Sequence, residues 1–156
     1  MILVSVNYRL GIFGFLTLGN EFLPGNQGLW DQLGALKWIK RNIAAFGGNP
    51  DKVTLFGESA GGWSVSYHLT SHQSKGYYDA AIVQSGPLDM GMINFVKLKD
   101  LPSLHQEYVK QIGCPINAED VFSTVKCLQD KTTHELMENF QLFDECNGNI
   151  MSLGFR

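Results

Sequence analysis

The sequence predicts an α/β fold in which short parallel strands alternate with helices. Three short apolar runs, at residues 2–8, 53–56 and 80–83, are separated by stretches with helical spacing or turn residues. Continuous apolar runs are typical of parallel strands that are buried on both faces. The order strand, helix, strand, helix, strand therefore predicts a parallel sheet with right-handed crossovers.

The first strand and the first helix are predicted from residues 2–47. Residues 2–8 are β-branched and apolar, whereas residues 9–28 are rich in Gly, Pro and Asn and indicate a loop. Asp31 is a candidate N-cap of the helix that follows, and Gly47 a candidate C-cap. The apolar face of this helix would consist of Leu33, Leu36, Ile39, Ile43 and Phe46.

A second strand, a sharp turn and a second helix are predicted next. Residues 53–56 form the strand, residues 57–62 the turn and residues 63–69 the helix. Residues 80–83 form a third strand that ends at residues 84–86. The five aromatic residues expected in the core are Trp30, Trp38, Phe46, Phe56 and Trp63.

The last third of the chain changes character. From about Pro102 it is predicted to be helical and surface-exposed, with helix starts at Asn117-x-x-Asp120 and at the capping box Thr132-x-x-Glu135. No strand is predicted after Val83. Since parallel strands are central and need neighbours on both sides, we expect the chain to be a fragment of a larger domain.

Bulk composition excludes several classes of protein. The 156 residues are 44% hydrophobic and 17% charged, which is typical of a folded domain. A net charge of -3 gives no reason to expect nucleic acid as a partner, and no apolar run is long enough to span a membrane. The first residues do not resemble a signal peptide. Composition makes no prediction of the oligomeric state.

The three cysteines do not indicate a metal site. Cys114, Cys127 and Cys146 follow no zinc-binding spacing, and no histidine stands at ligand spacing beside them. From spacing alone, one disulfide plus a free thiol and three reduced thiols both remain open.

The motif that carries chemistry is Gly57-Glu58-Ser59-Ala60-Gly61, a G-x-S-x-G. A predicted strand leads into it and a predicted helix leads out, which is the context of a nucleophile elbow. Such a turn holds its serine in a strained backbone conformation above the carboxyl end of the sheet. Side chains at Gly57 and Gly61 would collide with the crossing strand and helix, and Gly62 extends this close contact.

Ser59 is therefore the candidate nucleophile, and the amide of Ala60 a candidate donor to an oxyanion at the helix N-terminus. Glu58 and Ser85 are candidates for supporting roles beside the serine; Ser85 could equally be an ordinary turn residue. A serine hydroxyl needs a base. His68, His72, His105 and His134 are the histidines of the chain, and their positions indicate packing or surface roles.

Several blocks of sequence resemble the type-B carboxylesterase and cholinesterase-like family, in particular its animal (insect-like) members. They follow the order and spacing of that family over about the first 90 residues, and the stretch from Cys114 to Cys127 resembles its second disulfide loop. The blocks are Asn7-Tyr8-Arg9-Leu10-Gly11, Gly25-Asn26-Gln27-Gly28-Leu29-x-Asp31-Gln32, Asn42-Ile43-Ala44-Ala45-Phe46-Gly47-Gly48-Asn49-Pro50, Val53-Thr54-Leu55-Phe56-Gly57-Glu58-Ser59-Ala60-Gly61-Gly62 and Gln84-Ser85-Gly86.

The resemblance implies that residues 1–156 are part of an α/β-hydrolase domain that hydrolyses small carboxylic esters through an acyl-serine, without a cofactor. It implies Ser59 as nucleophile and Ala60 as one oxyanion donor. It places the glycine-rich oxyanion loop before Met1 and the triad Glu and His after Arg156, so the chain alone is expected to be inactive. It also implies a Cys114–Cys127 disulfide, which favours the secretory pathway over the cytoplasm. A noncatalytic adhesion or binding protein of the same fold is the alternative.

Overall fold

The computed structural model describes residues 1–86, 101–117, 119–138 and 140, and these residues form two compact units. The elbow unit comprises residues 1–8 and the described part of 29–93. The disulfide unit comprises residues 9–28 and the described part of 94–156. The helices are α1 (Gly11–Phe15), α2 (Gln27–Asn42), α3 (Ala60–Thr70), α4 (Leu101–Gln111) and α5 (Val121–Asp130), and the strands are β1 (Thr54–Glu58) and β2 (Ala80–Gln84).

The two strands of the elbow unit are parallel, as the sequence predicts. β1 and β2 pair in a register that joins Thr54 to Ala80 and Glu58 to Gln84. α3 connects them and packs on both, which makes a β-α-β unit.

The predicted strand at residues 2–8 is wrong, because these residues form no ladder. Among the described residues β1 pairs with β2 alone. Leu3 is 70% exposed and Ile2 is 43% exposed. An apolar run becomes a strand only when a neighbouring backbone accepts and donates its hydrogen bonds, and no described segment pairs with this run.

α2 confirms the first predicted helix but begins at Gln27, so Asp31 lies inside it and is not its N-cap. The start follows two left-handed residues, Gly25 (φ 88°) and Asn26 (φ 61°), which end the preceding loop. After α2 a 3-10 turn, Ile43–Phe46, closes at Gly47, whose φ of 79° lets its amide donate to the carbonyl of Ala44.

The prediction that residues 9–28 are loop throughout is also wrong, because α1 lies within them. The sequence pattern of α1 places Ile12 and Phe15 three positions apart, on one face of a short helix, and both are buried. The spacing of this apolar pair therefore indicates the helix, whereas the surrounding glycines alone indicate a loop.

Of the five aromatic residues expected in the core, only Trp63 is buried. Trp30 is 52% exposed and Phe56 60% exposed, and Trp38 and Phe46 are exposed as a ring pair with centroids 5.8 Å apart. Phe56 lies on the exposed face of β1, with Thr54 and Glu58, because side chains alternate along a strand.

The disulfide unit is helical, as predicted from Pro102 onward, and no strand follows β2 in the described ranges. The expectation that this region is surface-exposed is wrong, because Tyr108 and Val109 of α4 are buried in the core of the unit. The Asp120 side chain caps α5 by accepting from the amide of Ser123 at 3.1 Å. The Thr132–Glu135 capping box is confirmed by reciprocal bonds of 2.7 and 3.2 Å. Residues 133–138 are helical.

The core of the disulfide unit is apolar and cross-linked. Cys114 and Cys127 form a disulfide with a Cα–Cα distance of 5.7 Å, which confirms the pairing implied by the resemblance. Cys146 lies outside the described residues. The buried core consists of Ile12, Leu16, Tyr108, Val109, Ile112, Cys114 and Leu128.

A membrane-spanning helix is not found among the described helices, since none is both long and apolar enough.

Candidate functional site

Ser59 occupies the turn between β1 and α3, where the sequence places it. Its backbone adopts φ 53° and ψ -118°, in the left-handed half of conformational space that residues with a Cβ rarely enter. The residue is exposed. The predicted strained turn is therefore confirmed, and the chemical role of Ser59 stays a prediction.

Two of the three elbow glycines are required by close backbone contacts. A Cβ on Gly57 would lie 2.3 Å from the carbonyl carbon of Gly61, and a Cβ on Gly62 would lie 2.4 Å from the carbonyl oxygen of Gln84. Real side chains do not approach backbone atoms so closely. β1, β2 and α3 can therefore meet at this turn only if these positions are glycine.

The steric explanation for Gly61 is wrong, because a Cβ there would have no described atom of the crossing strand or of any other segment outside the nearby backbone of α3 within 4 Å. Gly61 instead contributes the backbone that a Cβ on Gly57 would strike. Sequence analysis did not include Gly86 among the elbow glycines, although a Cβ there would lie 2.2 Å from the carbonyl carbon of Gly62. The position of Gly86 at the end of the Gln84-Ser85-Gly86 stretch is the sequence feature that could have identified it.

Backbone hydrogen bonds attach the elbow to the end of β2. The amide of Ser59 donates to the carbonyl of Gln84 at 2.9 Å, and the buried hydroxyl of Ser66 donates to the carbonyl of Gly86 at 2.7 Å. Between these two acceptors Ser85 is exposed and has a φ of 52°. Ser85 thus adjoins the elbow through its backbone; a role for its hydroxyl stays a prediction.

Ala60 begins α3, so its amide is among the first four, which have no partner within the helix. The partial positive charge of a helix N-terminus favours an anion at this point. Glu58 ends β1 immediately before Ser59 and is exposed. The structure thus groups Glu58, Ser59 and Ala60 at one turn, and their roles stay predictions.

A buried polar network runs behind the elbow, and sequence analysis missed it. His68 bonds through Nδ1 to the hydroxyl of Ser74 at 2.7 Å and through Nε2 to Oε1 of Gln32 at 2.9 Å. Nε2 of Gln32 donates to Ser64 Oγ at 3.0 Å, and Ser64 Oγ donates to the carbonyl of Ala60 at 3.0 Å. Burial lowers the pKa of His68 below its ordinary value. No local pattern marks this network, since Gln32 and His68 are 36 residues apart.

None of the four histidines is hydrogen-bonded to Ser59 within the described residues. Both ring nitrogens of His68 are occupied. His105 and Thr17 both belong to the disulfide unit, where Nδ1 of His105 contacts the backbone of Thr17. His72 follows α3, whose 11 residues span about 16 Å, so it is far from Ser59 at the other end. His134 is exposed beside Glu138. The prediction that these histidines pack or face solvent is confirmed.

The chain matches the Carboxylesterase family over residues 1–154. It is 44% identical over 137 residues to mouse Carboxylesterase 5A (88% of this chain, 23% of that protein) and 46% identical over 129 residues to bovine Bile salt-activated lipase (83% and 21%). It is also 40% identical over 139 residues to mouse Neuroligin-2 (88% and 16%).

The chain spans about a quarter or less of the length of these relatives. The match nevertheless covers almost every residue of the chain, including both the strained serine turn and the disulfide pair. The chain belongs to the carboxylesterase family, and its β-α-β unit is part of the α/β-hydrolase fold of that family.

Proposed function

We propose that the protein containing this chain is a serine carboxylesterase that hydrolyses small carboxylic esters with Ser59 as nucleophile. The observation that supports this most strongly is the backbone of Ser59, which is held at φ 53° and exposed at the N-terminus of α3. Such strain costs free energy, and proteins retain it where the side chain must project from the fold.

The proposed reaction follows from the groups at the turn. Ser59 Oγ attacks the ester carbonyl carbon while its proton passes to a base, and the amide of Ala60 donates to the oxyanion that forms. The tetrahedral intermediate then expels the alcohol, which takes up the proton, and leaves an acyl-serine. Water then attacks the carbonyl carbon of the acyl-serine and gives its proton to the base. The second tetrahedral intermediate expels Ser59 Oγ, which takes up the proton, and releases the carboxylic acid.

Residues 1–156 are expected to be inactive alone, since the histidines of this chain are otherwise engaged. In a triad that acts as a unit, removal of the base lowers kcat by about 10⁶. We therefore infer that a base and further oxyanion donors come from elsewhere in the protein. An ester-hydrolysis assay on residues 1–156 checks this: a rate above that of Ser59→Ala would contradict it.

The decisive experiment uses the complete protein encoded by the gene that contains this chain. We expect a fluorophosphonate probe to label it at Ser59, and a short-chain p-nitrophenyl ester to be hydrolysed. Ser59→Ala removes one oxygen and should abolish both, whereas Ser85→Ala, at the exposed turn beside it, tests whether a neighbouring hydroxyl carries the label. Labelling that survives in Ser59→Ala would exclude Ser59 as the nucleophile.

A noncatalytic binding protein is the second candidate, because Neuroligin-2, whose name states no hydrolytic activity, is 40% identical to the chain. The retained elbow argues against it, since a binding protein has no need of a strained serine among close-packed glycines. A folded complete protein that neither labels nor hydrolyses esters would favour this second candidate.

We also propose the secretory pathway as the location, with the cytoplasm as the alternative. The Cys114–Cys127 disulfide supports this, since disulfides persist in oxidising compartments. Alkylation of free thiols in cells before lysis should leave both cysteines unmodified; modification of both would indicate the cytoplasm.

A further inference from the structure

We propose that His68 is a positioning residue for the esterase reaction, acting through Gln32 and Ser64 to hold Ala60, whose amide is the proposed oxyanion donor. This inference rests on the proposed function. It adds to that function a buried hydrogen-bonded chain of four side chains, which begins at Ser74 and ends at the carbonyl of Ala60.

The direction of every bond in this chain follows from its last acceptor. A carbonyl oxygen can only accept, so the hydroxyl of Ser64 uses its hydrogen on Ala60. Ser64 Oγ must then accept from the amide nitrogen of Gln32, which leaves Oε1 of Gln32 as an acceptor.

The same logic sets the state of the imidazole. Nε2 of His68 carries the hydrogen that is donated to Oε1 of Gln32. Burial lowers the pKa of His68 and so favours the neutral ring, in which Nδ1 accepts from the hydroxyl of Ser74. Each of the three side chains between Ser74 and Ala60 has one partner in front and one behind.

Because the network is buried, breaking any one of its hydrogen bonds costs free energy. The exposed fractions are 8% for Gln32, 6% for Ser64, 7% for His68 and 1% for Ser74. A buried donor or acceptor that loses its partner retains its desolvation penalty, so the remaining members would shift to find new partners. The network ends at the carbonyl of Ala60, so a shift of its members would displace the first turn of α3, which carries the proposed oxyanion donor.

The hydrogen-bonded network also links three elements of secondary structure around that turn. Gln32 comes from α2, Ser64 and His68 from α3, and Ser74 from the 3-10 turn His72–Ser74 that leads toward β2. Ala60 is thereby held from a second direction, in addition to the bond between the amide of Ser59 and Gln84. Displacement of an oxyanion donor by a fraction of an ångström affects the transition state more than the bound ester.

The test uses the complete protein and expresses kcat per Ser59 that a fluorophosphonate probe can label. Ser64→Ala removes one oxygen and disconnects the chain from Ala60, and His68→Leu removes both imidazole bonds. We expect each to lower kcat about tenfold per labelled site, with KM changed less than about twofold, because only the transition state uses the displaced donor.

Two controls separate positioning from general loss of stability. His68→Gln keeps an amide N–H near the place of Nε2 and should restore kcat to within about threefold of wild type. His105→Leu removes the other buried histidine, in the disulfide unit. It should lower the melting temperature while leaving kcat per labelled site unchanged.

The outcomes are distinguishable. If Ser64→Ala and His68→Leu lower the melting temperature but leave kcat per labelled site at the wild-type value, the network is only structural and the inference is wrong. Where His68→Leu fails to fold, Ser64→Ala alone decides. If wild type neither labels nor hydrolyses esters, the proposed function itself fails, and this inference with it.

Discussion

The elbow unit and the disulfide unit both bury apolar side chains, but they differ in what else stabilises them. In the elbow unit, backbones approach closely at Gly57, Gly62 and Gly86, and a polar chain is buried behind them, while Phe56 and Ile82 are exposed. In the disulfide unit, Tyr108 and Val109 are almost fully buried in an apolar core, and a disulfide cross-links it.

The difference shows that the contacts which fix atomic positions in the elbow are of another kind than those which stabilise the disulfide unit. Apolar burial and a cross-link stabilise many arrangements of similar shape, because neither depends strongly on direction. Backbone contacts and a directional polar chain tolerate only one arrangement. The unit that carries the proposed nucleophile is therefore expected to be sensitive to single atoms, whereas the disulfide unit is expected to be sensitive to apolar volume and to reduction.

The largest expected effect is that of Gly62→Ala in the elbow unit. The new Cβ would lie 2.4 Å from the carbonyl oxygen of Gln84, so β2 and α3 would have to separate. We expect a loss of at least about 3 kcal/mol in the free energy of unfolding, measured on the complete protein by urea denaturation.

Gly34→Ala is the matched control for this substitution. Gly34 lies in α2 with no described atom within 4 Å of its added Cβ, so alanine should stabilise the protein by about 0.5–1 kcal/mol. If the two variants had equal stability, close backbone contact would not be what distinguishes the elbow unit.

The next largest effect is expected from Cys127→Ser in the disulfide unit. Cys127 is preferable to Cys114, which is 4% exposed in the core, because its replacement disturbs packing less. Loss of a cross-link between residues 13 apart should cost roughly 3 kcal/mol, measured by the same denaturation.

Hydrogen exchange in Cys127→Ser should rise in α4 and α5 and stay unchanged in β1, if the units are stabilised separately. A reducing agent should lower the melting temperature of wild type and leave that of Cys127→Ser unaltered. A wild-type protein indifferent to reduction would show that the disulfide contributes nothing.

The smallest effect is a dependence on pH that arises from one buried histidine in each unit. Burial lowers the pKa of His68 and of His105 below 6.5; for His105 a bond to the carbonyl of Thr17 opposes this in part. Because the folded pKa lies below the unfolded one, the unfolded chain binds more protons between the two values. The contribution of each histidine is therefore complete above about pH 6.5 and decreases as the pH falls below it.

Hydrogen exchange at pH values from about 7.5 to 5.5, corrected for intrinsic rates, should show both regions opening more readily in acid. His68→Gln should remove the acid sensitivity of α3 and leave that of α4, and His105→Gln should do the reverse. Equal sensitivity of α3 in wild type and His68→Gln would assign the effect to another group.

Much of the elbow was predictable because it is encoded locally. Strand, glycine turn and helix are consecutive, so a G-x-S-x-G between an apolar run and a helical pattern predicts the strained turn at Ser59. The helix end at Gly47 and the Thr132–Glu135 capping box were predicted for the same reason, since each depends on residues within three or four positions. The predicted start at Asn117-x-x-Asp120 lies three residues early, because Asp120 itself is the N-cap of α5.

What local patterns could not predict depends on the neighbours of each segment. The run at residues 2–8 has the composition of a strand, yet it forms none without an adjacent backbone. Phe56 has the composition of a core residue, yet its face of the sheet is exposed. Composition records a preference for burial, and the packing of other segments decides whether burial occurs.

By itself the sequence determined the family, the place of Ser59 and the nature of the turn around it. Only the tertiary structure decided that Gly86 closes the elbow, 24 residues from Gly62, and that Gln32 and His68 meet behind Ala60. The physical reason is that backbone conformation depends on adjacent residues, whereas contacts between distant residues depend on how completed helices and strands pack together.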